Sequence, residues 1–333
     1  MLQALLMDVG KIELKDTAEP EPGDDEILIK VKAALTCGTD LKAYLRGHSL
    51  IPMPGPFGHE YSGVVVKVGK NVRGFKEGDE IMGVHSAPCG NCGYCRRGFY
   101  NLCENIMDNK VLGAYAEELL IPSHVVKQNL FPKPGEIEFP VAAFLEPLSC
   151  VVHPYSQFDL SCIERALIIG AGPIGLLHSA YMELFGVETT VVDRLTNRLE
   201  VARTIASKVV LSDELEGLKE SAGFDLVVEC TGMPEVWEQA VSYLRRGGRL
   251  ILFGGCPSAS RVCYSAGRLH YDEITLMGSF HFSPEDVKRA YQLITEGKIR
   301  LNGLISGSFR LEEIARAFEL LREGQGIKYA IIP

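Results

Sequence analysis

Ala166-Leu167-Ile168-Ile169-Gly170-Ala171-Gly172-Pro173-Ile174-Gly175 is the stretch that decides the fold. A continuous apolar run suits a parallel strand buried on both faces. It leads into a G-x-G-x-x-G loop, and the loop opens a helical segment, Ile174 to Phe185. In that setting the three glycines have separate tasks. Gly170 permits the turn, Gly172 lets a pyrophosphate approach the backbone, and Gly175 lets helix and strand pack closely. The helix N-terminus that follows offers unpaired N–H groups and the positive end of the dipole to phosphates, and Pro173 and Ile174 join the candidate cofactor residues. Asp193 ends the next strand, Thr189 to Val192, at the spacing of a carboxylate that accepts hydrogen bonds from an adenosine ribose. Such a carboxylate repels the 2′-phosphate of NADP, so the expected cofactor is NAD. Arg194 is the counter-signal, because an arginine there can pair with that phosphate. Arg198, which opens the second helix, joins the candidate cofactor residues.

Outward from the loop the alternation continues. Strands at Phe224 to Val228 and Gly248 to Phe253 flank a helical Pro234 to Leu244, so the segment 151–283 reads as a doubly wound parallel sheet. The texture before it differs. Glu26 to Ala34, Tyr61 to Val68, Glu80 to Val84 and Ala116 to Ile121 are short, β-rich and separated by turns, the pattern of a small barrel or sandwich. After Ser283-Pro284-Glu285-Asp286, a helix-start signal, come two helices and a last strand, Ile327 to Ile332. The fold class is α/β.

Composition narrows the function. Hydrophobic residues are 46% and charged residues 23% of 333, an ordinary globular balance that excludes a disordered chain. No 18-residue apolar stretch suggests a membrane span, and Met1 to Asp8 reads as a strand, not a secretory signal. A net charge of −9 without basic clusters argues against nucleic-acid and membrane partners. Ten cysteines without a signal point to a reducing, cytoplasmic setting and hence to metal chemistry.

Four of those cysteines form Cys89-x-x-Cys92-x-x-Cys95-x7-Cys103. Four thiolates around one ion make a closed tetrahedral site, the usual form of structural zinc. An iron–sulfur cluster is the competing metal reading. A core of four ordinary cysteines is ruled out by the surrounding Gly90, Asn91, Gly93, Arg96 and Arg97. Cys37 in Cys-Gly-Thr-Asp and His59-Glu60 after Gly58 are less specific: singly, they fit a packed thiol and a loop histidine.

Taken in order, Cys37-Gly-Thr-Asp, Gly58-His-Glu-Tyr-Ser-Gly, the four-cysteine loop, Glu146-Pro-Leu-Ser and the glycine loop resemble the zinc-containing medium-chain alcohol and polyol dehydrogenases, along essentially the whole chain. The resemblance implies a GroES-like catalytic domain from residues 1–150 and 284–333, with a Rossmann domain, 151–283, inserted. It implies Cys37 and His59 as ligands of a catalytic zinc, and Glu60 as a ligand or immediate neighbour. Glu146 takes the place typical of the polyol and sorbitol branch, where a glutamate stands near zinc and substrate, so it joins the expected catalytic residues and zinc ligands, with Cys150 a minor alternative. Thr39 resembles the hydroxyl that takes the alcohol proton. Lys42 stands where relatives often carry histidine, and Arg46 and His48 are candidates for the cleft wall. The implied activity is zinc-dependent hydride transfer from a secondary alcohol, a polyol or related compound, to NAD. The alternatives are threonine or a simple secondary alcohol, a zinc-free quinone reductase, and a non-catalytic redox sensor. Relatives pair through the edge of the Rossmann sheet, here around Leu250 to Phe253, so a homo-oligomer, dimer or tetramer, is expected.

Overall fold

The computed structural model describes residues 1–220 and 223–333. The chain packs as two units, Met1–Cys150 with His281–Pro333, and Val151–Phe280.

The first unit is built on a seven-stranded sheet. Its order runs Ile305–Arg310, Lys328–Ile332, Ile27–Leu35, Tyr61–Val68, Glu80–Gly83, Leu130–Pro132, and Glu118–Ile121 pairs with Ile27–Leu35 off that path. Ile27–Leu35 is the hub: its apolar residues are buried while Lys30 and Lys32 face out. A smaller sheet joins Leu2–Asp8 to Lys11–Asp16 and Gly55–Pro56. The C-terminal strand Lys328–Ile332 enters antiparallel to the hub, with Ala330 opposite Leu35. Phe318, from the helix Ile314–Arg322, packs on Phe57, Tyr44 and Tyr115. Such aromatic pairs each contribute about 0.5–1.5 kcal/mol beyond the area they bury. The returning C-terminal segment therefore fills the core against which the site is built.

The second unit is a six-stranded, all-parallel sheet. Numbered along the unit, Arg165–Ile169, Glu188–Asp193, Lys208–Leu211, Phe224–Glu229, Leu244–Leu252 and Thr275–Gly278 lie in the order 3-2-1-4-5-6. This is the doubly wound order, whose switch point falls between the first and fourth strands. Phe224–Glu229 is buried at every position, in keeping with its apolar centre Leu226–Val228, and its two carboxylates, Asp225 and Glu229, are buried with it.

One expectation is corrected. Leu250 to Leu252 do not form a sheet edge, because Leu244–Leu252 is flanked by Phe224–Glu229 and Thr275–Gly278. The edge is Thr275–Gly278, four residues too short for a legible alternation. Ile305–Arg310, unassigned between the last two helices, is also a strand.

Candidate functional site

Cys37 caps the helix Gly38–Arg46, and its Sγ accepts the Thr39 N–H at 3.5 Å. A sulfur at a helix N-terminus meets the positive end of the dipole, which suits an anionic ligand. His59 follows Gly58, whose φ is +85° and whose position would drive a Cβ to 2.6 Å from the Tyr115 ring. Only glycine brings the chain that close, and so His59 and Glu60 are turned inward. The ligand atoms of Cys37, His59 and Glu60 all lie within 4.8 Å of one another.

Each member of this group is held from behind. Asp40, fully buried, lies 3.4 Å from His59 Nδ1 and accepts from Gly58 N (3.3 Å) and Tyr115 Oη (2.9 Å). A carboxylate at Nδ1 orients the ring and leaves Nε2 for a metal. Burial pulls His59 down, but Asp40 and Cys37 outweigh it and lift its pKa well above the usual range. Lys328 Nζ donates to Glu60 Oε2 at 2.5 Å and to Thr36 O at 2.7 Å, both partners of the ion pair being 1% exposed. Burial pushes Glu60 up while Lys328 pulls it back toward the charged form. Glu60 Oε1 has no hydrogen-bond partner among the described residues. An orphaned carboxylate oxygen beside a sulfur and an imidazole is what a metal cation would satisfy, and Cys, His and Glu are a zinc donor set.

Glu146 lies apart from this group, with Oε1 3.2 Å from His85 Nδ1. The Cys150 thiol donates to the same oxygen at 3.6 Å, and burial pushes that thiol's pKa well up, so Cys150 stands as a neutral neighbour. His48 Nδ1 accepts from Leu50 N at 3.2 Å and closes a local turn, and Arg46 is exposed in the last turn of its helix. Asp40, His85, His281 and Lys328 carried no assignment from the sequence. For Lys328 a signal existed, one charge in the apolar run Ile327 to Ile332.

The second donor group is Cys89, Cys92, Cys95 and Cys103, whose Sγ atoms also lie within 4.8 Å of one another. Zinc–sulfur bonds of about 2.3 Å in a tetrahedron bring sulfurs to roughly 3.8 Å, and Cys89 and Cys95 Sγ stand 4.0 Å apart. Backbone N–H groups, first Cys95 and then Glu104, lower the Cys92 thiol to about 6, so this sulfur is ready as a thiolate. The donors fit one ion.

In the second unit a cavity of about 440 Å³ opens at the switch point, lined by Gly170, Gly172, Asp193, Arg194, Arg198 and Thr231 among others. Gly170 turns at φ +109°, and a Cβ on Gly175 would stand 1.8 Å from Gly170 O. Pro173 is the first residue of the helix Pro173–Glu183, where its missing N–H costs nothing. Asp193 accepts from Ala171 N (2.7 Å) and Leu195 N (2.9 Å), fixing its carboxylate beside the loop. Arg198 Nε is buried without a hydrogen-bond partner among the described residues, and its guanidinium reaches toward Gly172. Free helix amides, an open glycine floor and a fixed carboxylate fit a dinucleotide.

An open cysteine–histidine–carboxylate set in one unit and a dinucleotide cradle in the other define a metal- and nicotinamide-dependent oxidoreductase. Comparison with known proteins makes the class specific. Residues 23–133 match the alcohol dehydrogenase GroES-like domain, and residues 173–296 match the zinc-binding dehydrogenase model. An L-threonine 3-dehydrogenase of Aeromonas hydrophila is 31% identical over 340 residues, 98% of this chain and 97% of that one. A sorbitol dehydrogenase of Halalkalibacterium halodurans is 28% identical, over 97% and 96%. The solved structure of a chain described as a zinc-binding dehydrogenase of Sinorhizobium meliloti, bound to NADP, superposes with a TM-score of 0.89 at 28% identity, over 100% and 99%. The chain belongs to the zinc-dependent medium-chain alcohol dehydrogenase family and is an enzyme of that family.

Proposed function

We propose that this dehydrogenase oxidises a secondary hydroxyl of a polyol or related hydroxylated compound, with NAD as the hydride acceptor. The observation that carries the reading is the group Cys37, His59 and Glu60, with a second buried carboxylate, Glu146, standing outside it. Three donors leave a position for substrate, whereas the four cysteines leave none.

Zinc held by Cys37, His59 and Glu60, with Glu146 as a further candidate ligand, would supply Lewis-acid polarisation of the substrate hydroxyl. The chain's own residues supply the rest. Asp40 keeps His59 oriented, and Lys328 holds one oxygen of Glu60. Thr39, in the first turn after Cys37, would take the hydroxyl proton and hand it on. Lys42, in the next turn, is assigned to NAD affinity and not to the role of base. Asp193 favours NAD over NADP by at least roughly tenfold, about 1.4 kcal/mol, through repulsion of the 2′-phosphate. Cys89, Cys92, Cys95 and Cys103 hold a structural zinc. We also place the enzyme in the cytoplasm, in keeping with its ten cysteines and the absence of a disulfide among the described residues, and expect a homo-oligomer joined through the edge strand Thr275–Gly278.

The 31%-identical L-threonine 3-dehydrogenase favours a second reading, a hydroxy-amino acid. A panel of polyols, hydroxy-amino acids and simple secondary alcohols, assayed with NAD and NADP, separates the two. The polyol reading requires the highest kcat/KM on a polyol with NAD. Turnover confined to L-threonine would replace it, and equal use of NAD and NADP would hand the pocket to Arg194.

A further inference from the structure

Glu229 ends the fourth strand of the parallel sheet, Phe224–Glu229, and is wholly buried. A carboxylate withdrawn from water is costly unless hydrogen-bond donors replace its hydration. Here the donors come from the turn just beyond the strand. Oε1 accepts from Thr231 N at 2.6 Å, from the Thr231 hydroxyl and from Gly232 N at 3.2 Å, and Oε2 shares the Gly232 N–H at 3.2 Å. Burial pushes the Glu229 pKa up, and the Thr231 donors pull it back toward the charged form. The backbone carbonyl of Glu229 also accepts from Phe253 N (3.1 Å) and Gly254 N (2.9 Å), just past the fifth strand. One residue therefore ties two strand-end turns together. The fit is close: a Cβ on Gly254 would stand 2.3 Å from Gly232 N and 2.8 Å from Glu229 Oε2. Trp237 Nε1 holds the second turn by donating to Gly254 O at 3.0 Å.

The first of these turns is also a wall of the cavity at the switch point. Cys230 and Thr231 line it, across the glycine loop from Asp193. The Thr231 hydroxyl donates to Glu229 and accepts from Met233 N at 3.2 Å, so it is engaged within the turn. Its methyl faces the loop, 3.2 Å from where a Cβ on Gly170 would stand. Any shift of Thr231 therefore changes the gap between wall and loop. We propose that Glu229 is a positioning residue whose carboxylate clamps the Cys230–Gly232 turn and so sets the width of the dinucleotide cavity. Reach and not charge performs this task, because an oxygen has to arrive at the Thr231 N–H and hydroxyl together. The inference rests on the reading of that cavity as the cofactor site.

The test titrates the full chain with NADH, reads the emission of the bound nucleotide, and records a melting curve for each variant. Glu229→Asp keeps the charge but withdraws the oxygens, and should raise the NADH dissociation constant roughly tenfold. Glu229→Gln keeps a carbonyl oxygen in the place of Oε1 without the charge, and should hold the affinity within about twofold of the parent. Thr231→Val has the same shape without the hydroxyl, and should weaken binding roughly fivefold. A carboxylate that only stabilised the unit would behave otherwise: Glu229→Asp would melt earlier and bind NADH as the parent does, and that result would overturn the proposal. Glu229→Gln binding as weakly as Glu229→Asp would overturn it too, since charge would then be the requirement. If Glu229→Asp fails to fold, parental affinity in Thr231→Val overturns it alone. A parent that binds no NADH would instead overturn the cofactor-site reading, and the proposal with it.

Discussion

His59 and His178 are both buried, one in each unit, and their surroundings push them in opposite directions. At His59 the Asp40 carboxylate 3.4 Å away, with Cys37, overcomes burial and raises the imidazole's pKa. At His178 burial acts unopposed and lowers it to about 3, and the Tyr155 hydroxyl stands 2.6 Å from Nδ1. Burial therefore does not set the charge of a histidine; the neighbour does. The contrast extends to the units around them. The first buries ionisable groups beside one another, Asp40 with His59, Lys328 with Glu60 and His85 with Glu146. The second keeps neutral side chains around His178 and fixes Asp193 with backbone amides at its pocket.

The largest effect should follow from removing a donor of the charged group. Cys37→Ser should lower kcat/KM on the order of 10⁴-fold, since polarisation by a metal supplies several kcal/mol to the transition state, and should change thermal stability little. Cys92→Ser should do the reverse, because a structural metal's binding energy is folding energy. Metal content and melting curves of the two variants, measured side by side, check this. Equal loss of stability in both would erase the distinction between an open and a closed site.

Lys328→Met comes next. Breaking a buried pair from one side strands a charge and should cost about 3–5 kcal/mol, whereas Lys328→Met with Glu60→Gln should recover most of that loss. Denaturant titration of the two single variants and the double gives the coupling. Strict additivity would mean that the short Lys328–Glu60 contact carries no energy. Thr39→Val is smaller: a fall in kcat of roughly 10²-fold at unchanged metal content, the range of a lost proton-transfer group. An unchanged kcat would remove Thr39 from the proton path.

These pairs also divide what the sequence could tell from what it could not. Cys89 to Cys103 and Gly170 to Gly175 are each made within one short segment, so spacing alone carries their chemistry. The alternation after residue 165 was enough for a doubly wound sheet, because fully buried strands cannot hide their apolar runs. Lys328 and Glu60 are 268 residues apart and meet only because the last strand pairs with Ile27–Leu35. His85 meets Glu146 through a loop and a helix that share no periodicity. Tethers of this kind are products of register and packing, and a linear pattern does not contain them. Cys37 and His59 needed the family resemblance to stand out, whereas Asp40, which aims His59, went unassigned.

The last prediction sharpens the opening contrast at its neutral end. In the unfolded chain His178 should titrate near 6.5, while in the folded unit it stays neutral until about pH 3. Below pH 6.5 the unfolded state therefore binds a proton that the folded state does not. Stability from the buried neutral ring is fully present above pH 6.5 and is lost as pH falls toward 3, by about 1.4 kcal/mol per unit. At pH 5 the loss should reach about 2 kcal/mol. His178→Asn isolates this contribution, because an asparagine oxygen can take the place of Nδ1 opposite Tyr155 but cannot titrate. The variant also loses the ring that stands edge-on to Phe253, 4.7 Å between centroids, a cost that does not change with pH. The single tryptophan, Trp237, donates to Gly254 O within the same unit, so its fluorescence follows the unfolding of that unit. Urea titrations of parent and variant should differ most at pH 7 and converge by about 2 kcal/mol at pH 5. A gap that stays constant across this range would mean that His178 carries its proton in both states, and the opposition between the two buried histidines would be lost.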